Sequence, residues 1–200
     1  MNPIVQYVIL AVASYMLGSV SAAVFISRKA GGFDIREKGS GNAGSTNVLR
    51  VMGVKWGVIT LLIDMAKGAL PTLIGLLWAR ETGAYVAGGA VLLGHAFPIL
   101  ERFRGGKCVA SSGGVLLVLN PLLTLAALAI DFSIMFISRI VSIGTIIIFI
   151  LYPVGAFLFP GPAHFGWFAL GVSILVLILH RGNIKRLLTG TEKRLNPSKK

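Results

Sequence analysis

Apolar runs long enough to cross a lipid bilayer follow one another through this chain almost without interruption, and no soluble fold accommodates such a succession. A hydrocarbon core about 30 Å thick takes roughly 20 apolar residues of helix to cross. Seven stretches are candidates: about Ile4 to Ser27, Trp56 to Ala79, Thr82 to Leu100, Cys108 to Asn120, Pro121 to Ser138, Ile140 to Leu158 and Ala163 to His180. Four of the breaks read as tight turns, at Arg80-Glu81, Asn120-Pro121, Arg139 and Pro160-Gly161-Pro162; where proline occurs it removes a donor and ends a helix. The first 27 residues carry no charge, so they lack the basic start of a cleaved signal and read as a retained span. The expected fold is an all-α polytopic membrane protein of about seven transmembrane helices, with residues 1–200 forming one domain.

The basic residues set the orientation. Segment 28–55 holds six Lys or Arg, segment 101–107 three, Arg139 is one, and the tail from Arg181 holds seven. Thus 17 of 19 fall on alternate connections, and cytoplasmic connections carry the Lys/Arg excess. That places the N-terminus outside, the C-terminus in the cytoplasm and every long polar connection on the cytoplasmic face. A formal charge of +12 demands an anionic partner. Nucleic acid does not fit basic residues set between apolar runs, whereas anionic lipid or a phosphorylated substrate does. Cys108 is the single cysteine, which excludes an internal disulfide and argues against a structural zinc site. No cofactor or metal is expected.

The fourth stretch is too short, since 13 residues at about 1.5 Å each reach only about 20 Å. Non-helical backbone must therefore precede it at membrane depth, where protein or a watery cavity has to satisfy its polar groups. Gly105-Gly106-Lys107 occupies that position.

Three polar stretches lie on the side that charge marks as cytoplasmic. The first is Gly39-Ser40-Gly41-Asn42-Ala43-Gly44-Ser45-Thr46-Asn47, followed by Arg50. Its glycines let backbone N–H groups turn toward an anion. Ser40, Asn42, Thr46 and Asn47 add side-chain hydrogen bonds, and Arg50 a bidentate charge. The plainer alternative is a loop whose Ser45 or Thr46 caps the helix carrying Arg50. The second stretch runs from His95 through Pro98 to Gly105-Gly106-Lys107, two glycines and an ammonium opening a short helix, which suits a phosphate. It lacks the spacing of a P-loop. Its plainer alternative is a helix end with Lys107 reaching the lipid surface, and His95 reads on its own as a hydrogen-bonded structural histidine. The third runs from His180 to Glu192, with Asn183 expected to cap an amphipathic helix whose Ile184, Leu187 and Leu188 face lipid. Inside the spans, Asp64 and Lys67 share a helix face and read as a mutual pair, a proton path being the sharper alternative.

Three such motifs in this order among about seven spans resemble the bacterial acyl-phosphate:glycerol-3-phosphate acyltransferases of the inner membrane, over essentially the whole chain. The resemblance implies transfer of a fatty acyl group from acyl phosphate to the 1-hydroxyl of glycerol 3-phosphate, giving lysophosphatidate. It implies a substrate site built from Ser40, Gly41, Asn42, Thr46, Asn47, Arg50, His95, Gly105, Gly106, Lys107, His180, Asn183 and Glu192, with Arg50, Lys107 and His180 closest to the chemistry. Two positions depart from the family pattern: Cys108 stands where glycine is usual, and Ser45 where alanine is usual. An organic-phosphate transporter is the main competing reading; it would place its site near the midplane and show paired repeats, and no repeat is visible. A lipid-binding scaffold would need only surface basicity.

Overall fold

The computed structural model describes residues 1–195, and all regular structure among them is helical. Residues 1–118 and 119–195 form two compact units. Each of the seven expected stretches contains a helical run. By length and composition four helices can cross a membrane, or five if one bent pair counts as a single span.

The first unit begins with α1 (Pro3–Ser19) and α2 (Ala22–Gly31), where one continuous span was expected. The helix breaks at Val20 because small hydroxyl residues offer its backbone other partners. Ser21 caps α2, accepting from the Val24 N–H at 3.4 Å, and Ser19 Oγ turns back to donate to Tyr15 O at 2.9 Å. Helix α3 (Ser45–Met52) leads into α4 (Val54–Ala96), which is interrupted at Ala79 and Arg80. Arg80 has φ +53° and folds the second half of α4 back on the first. A Cβ on Gly75 would collide with Gly83 O, so the two halves cross in backbone contact, as small residues permit in membrane helices.

Helix α1 lies on the second half of α4 in the same way, with Gly18 against Val91 and Gly94 against Tyr15. The third stretch ends at Ala96 rather than Leu100, and residues 99–101 form a 3₁₀ turn. Helix α5 (Val109–Leu119) then packs on the first half of α4, Gly68 against Ser111 and Gly114 against Met65. Its 11 residues span only about 16 Å, as expected for the short fourth helix.

The second unit holds α6 (Pro121–Ser138), α7 (Val141–Leu158), α8 (Phe165–Leu179) and α9 (Arg181–Leu188). Asn120 starts α6 by accepting from Leu123 N at 3.2 Å, with Pro121 at the first helical position. Arg139 ends it in the left-handed conformation, φ +56°. Thr124 and Tyr152 join α6 to α7 through a buried 2.8 Å bond. Helices α8 and α9 meet at 60°.

Candidate active site

The first motif is a loop fastened from inside. Gly39 and Gly41 adopt φ of +64° and +74°, which only glycine adopts without strain. Asn47 is fully buried beneath the loop: its Oδ1 accepts from Ser40 N at 2.8 Å, and its Nδ2 faces Ile35 O, Lys38 O and Asn42 O at 3.0–3.1 Å. Asn47, expected to bind substrate, has both ends of its amide engaged by backbone of the loop and the segment before it. Below it Ala23, Val24, Ile35, Ala43 and Val48 form a hydrophobic cluster.

Helix α3 starts from Gly44, whose position makes no side-chain cap bond, so the Ser45 or Thr46 cap of the plainer alternative is absent. Thr46 and Arg50, four residues apart, share a half-buried helix face distinct from the buried face of Asn47 and Val48. Ser40 and Gly41 are exposed and Asn42 is half-buried.

The second motif presses against the first. A Cβ at Gly106 would fall 2.7 Å from Ala43 O and closer still to His95 Nε2, while one at Gly105 would strike His95 O and Ala96 O. Both positions therefore require glycine for packing. The Gly106 N–H donates to His95 O at 3.1 Å, so it is not among the groups that can face a phosphate. His95 is buried behind Gly106 rather than lining the loop's outer side. Lys107, at the start of the short helix, is half-buried.

A charged staple missed in the sequence joins the segment before the first motif to the second. Arg36 pairs with Asp34 at 2.7 Å and Glu101 at 3.0 Å and donates to Glu101 O at 3.1 Å, while Arg28 pairs with Asp34 at 2.9 Å. The Arg36 guanidinium holds the Asp34 carboxyl well below the usual carboxylate range. The pairs of Asp34 with Arg36 and with Arg28 are local. Glu101 lies 65 residues away, beyond any pattern.

In the second unit the third motif closes on itself. Asn183 sits buried in the first turn of α9, not at its cap, and donates to Glu192 Oε1 at 2.6 Å. Ser142 Oγ reaches the same oxygen at 3.0 Å, and Arg186 Nε reaches Oε2 at 2.7 Å. Burial pushes the Glu192 carboxyl up, but these three donors outweigh it and hold it below its ordinary value. His180 joins α8 to α9, with Nδ1 2.8 Å from Val176 O. A carbonyl only accepts, so Nδ1 donates, and a neutral ring then presents Nε2 as an acceptor. Among the described residues no group of three or more His, Cys, Asp or Glu side chains is arranged to hold a metal ion.

The family model described as glycerol-3-phosphate acyltransferase matches residues 8–190. The chain belongs to that family. The glycerol-3-phosphate acyltransferase of Ralstonia pickettii is 42% identical over 208 residues, covering 100% of this chain and 99% of its own. That of Clostridioides difficile is 40% identical over 202 residues, 98% of each chain, and that of Bacillus subtilis 36% over 190, 94% of this chain and 96% of its own. Among solved structures, the crystal structure of PlsY, an integral membrane glycerol 3-phosphate acyltransferase, in its glycerol 3-phosphate form, has a TM-score of 0.90 at 34% identity. It covers 95% of this chain and 96% of its own. The lysophosphatidic acid form has a TM-score of 0.88 at the same identity, with 96% of each chain covered.

Position 108 has a backbone conformation that suits glycine. Cys108 has φ +63°, a left-handed conformation that costs a side-chain-bearing residue roughly 1 kcal/mol relative to glycine. Its buried Sγ lies 3.2 Å from Leu92 O, a contact glycine would forfeit. The two effects oppose, so Cys108→Gly is expected to melt within a few degrees of the parent and to keep or raise specific activity. Loss of turnover in a folded Cys108→Gly protein would show that the thiol takes part.

Proposed function

We propose that this chain transfers a fatty acyl group from acyl phosphate to the 1-hydroxyl of sn-glycerol 3-phosphate, releasing lysophosphatidic acid and inorganic phosphate. The observation that carries the reading is the close approach of the first motif and the Gly-Gly-Lys loop at Ala43 and Gly106, which brings two polar stretches suited to anions together. Membership of the glycerol-3-phosphate acyltransferase family supports the acceptor, and the relatives' glycerol 3-phosphate and lysophosphatidic acid forms match acceptor and product.

The hydroxyl oxygen attacks the acyl carbonyl carbon, forming the ester bond, and the anhydride carbon–oxygen bond breaks to leave phosphate. The leaving group is already good, so the protein's task is to hold two anions, orient the hydroxyl and stabilise the oxyanion. Arg50 and Lys107 offset the repulsion between two phosphates, with Ser40, Gly41, Asn42 and Thr46 as hydrogen-bonding partners. No covalent intermediate is needed. The proton leaves the hydroxyl for the substrate's own phosphate, or for His180 Nε2, whose acceptor state the Val176 bond favours. Asn183 and Glu192 contribute by holding the turn after His180, since their side chains bind each other.

The chain works as one acyltransferase domain of seven crossings in the bacterial inner membrane, with its N-terminus outside and its motifs and C-terminus in the cytoplasm. The acyl tail sits among membrane lipids and helices. Purified protein given labelled glycerol 3-phosphate and acyl phosphate should form labelled lysophosphatidic acid. Uptake of the label into liposomes without conversion would favour a transporter. For orientation, in a Cys108→Ser background, Asn42→Cys and Thr189→Cys should react with an impermeant thiol reagent only from the cytoplasmic side, and Asn2→Cys only from outside. Labelling of position 42 from outside would overturn the topology.

A further inference from the structure

The break between α1 and α2 lines an open groove of about 390 Å³ in the first unit, outside the residues assigned to the reaction. Irregular backbone at membrane depth is tolerated where it borders a cavity, and this cavity is of a size that takes a ligand. Val20 stands at the break, Phe25 one turn along α2, and Leu100 comes from the 3₁₀ turn after α4; all three line the groove and are exposed. Arg28 and Lys29 line it in the last turn of α2, about 10 Å along the helix from Ser21. The groove therefore runs from an apolar stretch at the break to a pair of cations.

Those cations are available. Glu101 is the one carboxylate in the lining, and Arg36 holds it at 3.0 Å while also holding Asp34 at 2.7 Å. Both carboxylates thus keep a partner without Arg28. The bonds from Arg28 to Glu101 are long, 3.4 and 3.5 Å, and its side chain is 53% exposed. Lys29 is exposed and enters no ion pair among the described residues.

We propose that this groove seats an anionic phospholipid of the surrounding membrane, its phosphate on Arg28 and Lys29 and an acyl chain along Phe25, Leu100 and Val20. Basic pockets beside membrane helices take such headgroups. A free phosphate would use the cations and leave the apolar wall uncovered. A zwitterionic headgroup would set its own cation against theirs. Binding here is separate from turnover and holds whichever acyl donor the enzyme uses.

Native mass spectrometry of the purified full chain, titrated with phosphatidylglycerol or with phosphatidylcholine of the same acyl chains, reads the bound fraction. The parent should bind phosphatidylglycerol at least about tenfold more tightly, and equal binding would overturn the proposal. Lys29→Gln should weaken phosphatidylglycerol about fivefold and Arg28→Gln/Lys29→Gln at least about tenfold, with Lys55→Gln within about twofold of the parent. Equal losses in Lys29→Gln and Lys55→Gln would show attraction to general surface charge and overturn the site. Leu100→Trp, which fills the groove and keeps both cations, should also weaken binding; unchanged affinity would contradict the acyl-chain seat. Arg50→Met should bind as the parent does, and loss there would place the lipid in the substrate site instead. Displacement of the lipid by millimolar inorganic phosphate would make this a free-phosphate site and overturn the assignment. Melting temperatures accompany each variant; should the double variant not fold, Lys29→Gln decides, since its side chain leaves no ion pair broken.

Discussion

Replacing Lys107 or Arg50 with methionine should lower kcat/KM by at least about thirtyfold while leaving a folded protein. Each side chain is half-buried at a loop whose backbone is fixed independently of it, Arg50 by helix α3 and Lys107 by the glycines packed on His95 and Ala43. Truncating one partner of a partly desolvated charge pair costs about 2–5 kcal/mol, and each 1.36 kcal/mol is tenfold in rate. In the proposed transfer two phosphates approach one another, so removing one cation should raise the barrier as well as weaken binding. Methionine keeps the length and apolar stem, which separates charge from packing. Arg50→Lys should recover only part of the loss, because an ammonium cannot reproduce bidentate phosphate contact. Steady-state kinetics on variants matched for melting temperature is the check. Near-normal kcat and KM in either methionine variant would remove that residue from the phosphate site.

Contrast Asn47, which looks equally polar and equally well placed in the sequence. Its amide is turned inward and fully buried, so Asn47→Ala should act through the loop, leaving the buried carbonyl of Ile35 and the part-buried ones of Lys38 and Asn42 without their donor. The expected signature is lower melting temperature together with lower activity, measured by thermal unfolding in detergent. Activity lost at an unchanged melting temperature would return Asn47 to the substrate.

The helical runs were legible because membrane crossing imposes length and apolarity on contiguous residues, and proline, glycine and charge mark the breaks. Asp64 and Lys67 paired as their spacing implies, at 3.0 Å. The break at Val20 was not legible: Ser19 and Ser21 mark it locally, but the lysine that takes the freed carbonyl lies 47 residues away. Nor was the division of labour within the motifs. Sequence placed Thr46 and Asn47 side by side as equals, whereas helix α3 leaves Thr46 half-buried and turns Asn47 into the loop's underside. Gly106 likewise read as a donor to phosphate, but its N–H goes to His95 O and its missing side chain lets His95 and Ala43 approach. Asn183 read as a cap, yet the chain returning through Glu192 captures it. In each case the residue type was visible and its partner was not, because the partner arrives from a distant segment.

The donor separates acyl phosphate chemistry from the common thioester-dependent glycerolipid acyltransferases. Those carry His-x4-Asp, in which the histidine removes the hydroxyl proton and the aspartate orients it. Here the residues five after His95, His164 and His180 are Leu100, Ala169 and Lys185, so that dyad is absent from the sequence. The connection between α3 and α4 is Gly53 alone, and that from Phe97 to Cys108 is 12 residues, leaving those connections no domain to grip a nucleotide handle or carrier protein. Acyl phosphate needs neither. Purified protein in detergent, without added divalent metal, should release one inorganic phosphate for each lysophosphatidic acid formed from acyl phosphate and glycerol 3-phosphate, with acyl-CoA at least about a hundredfold slower. Comparable rates from acyl-CoA under the same conditions would contradict the proposed reaction.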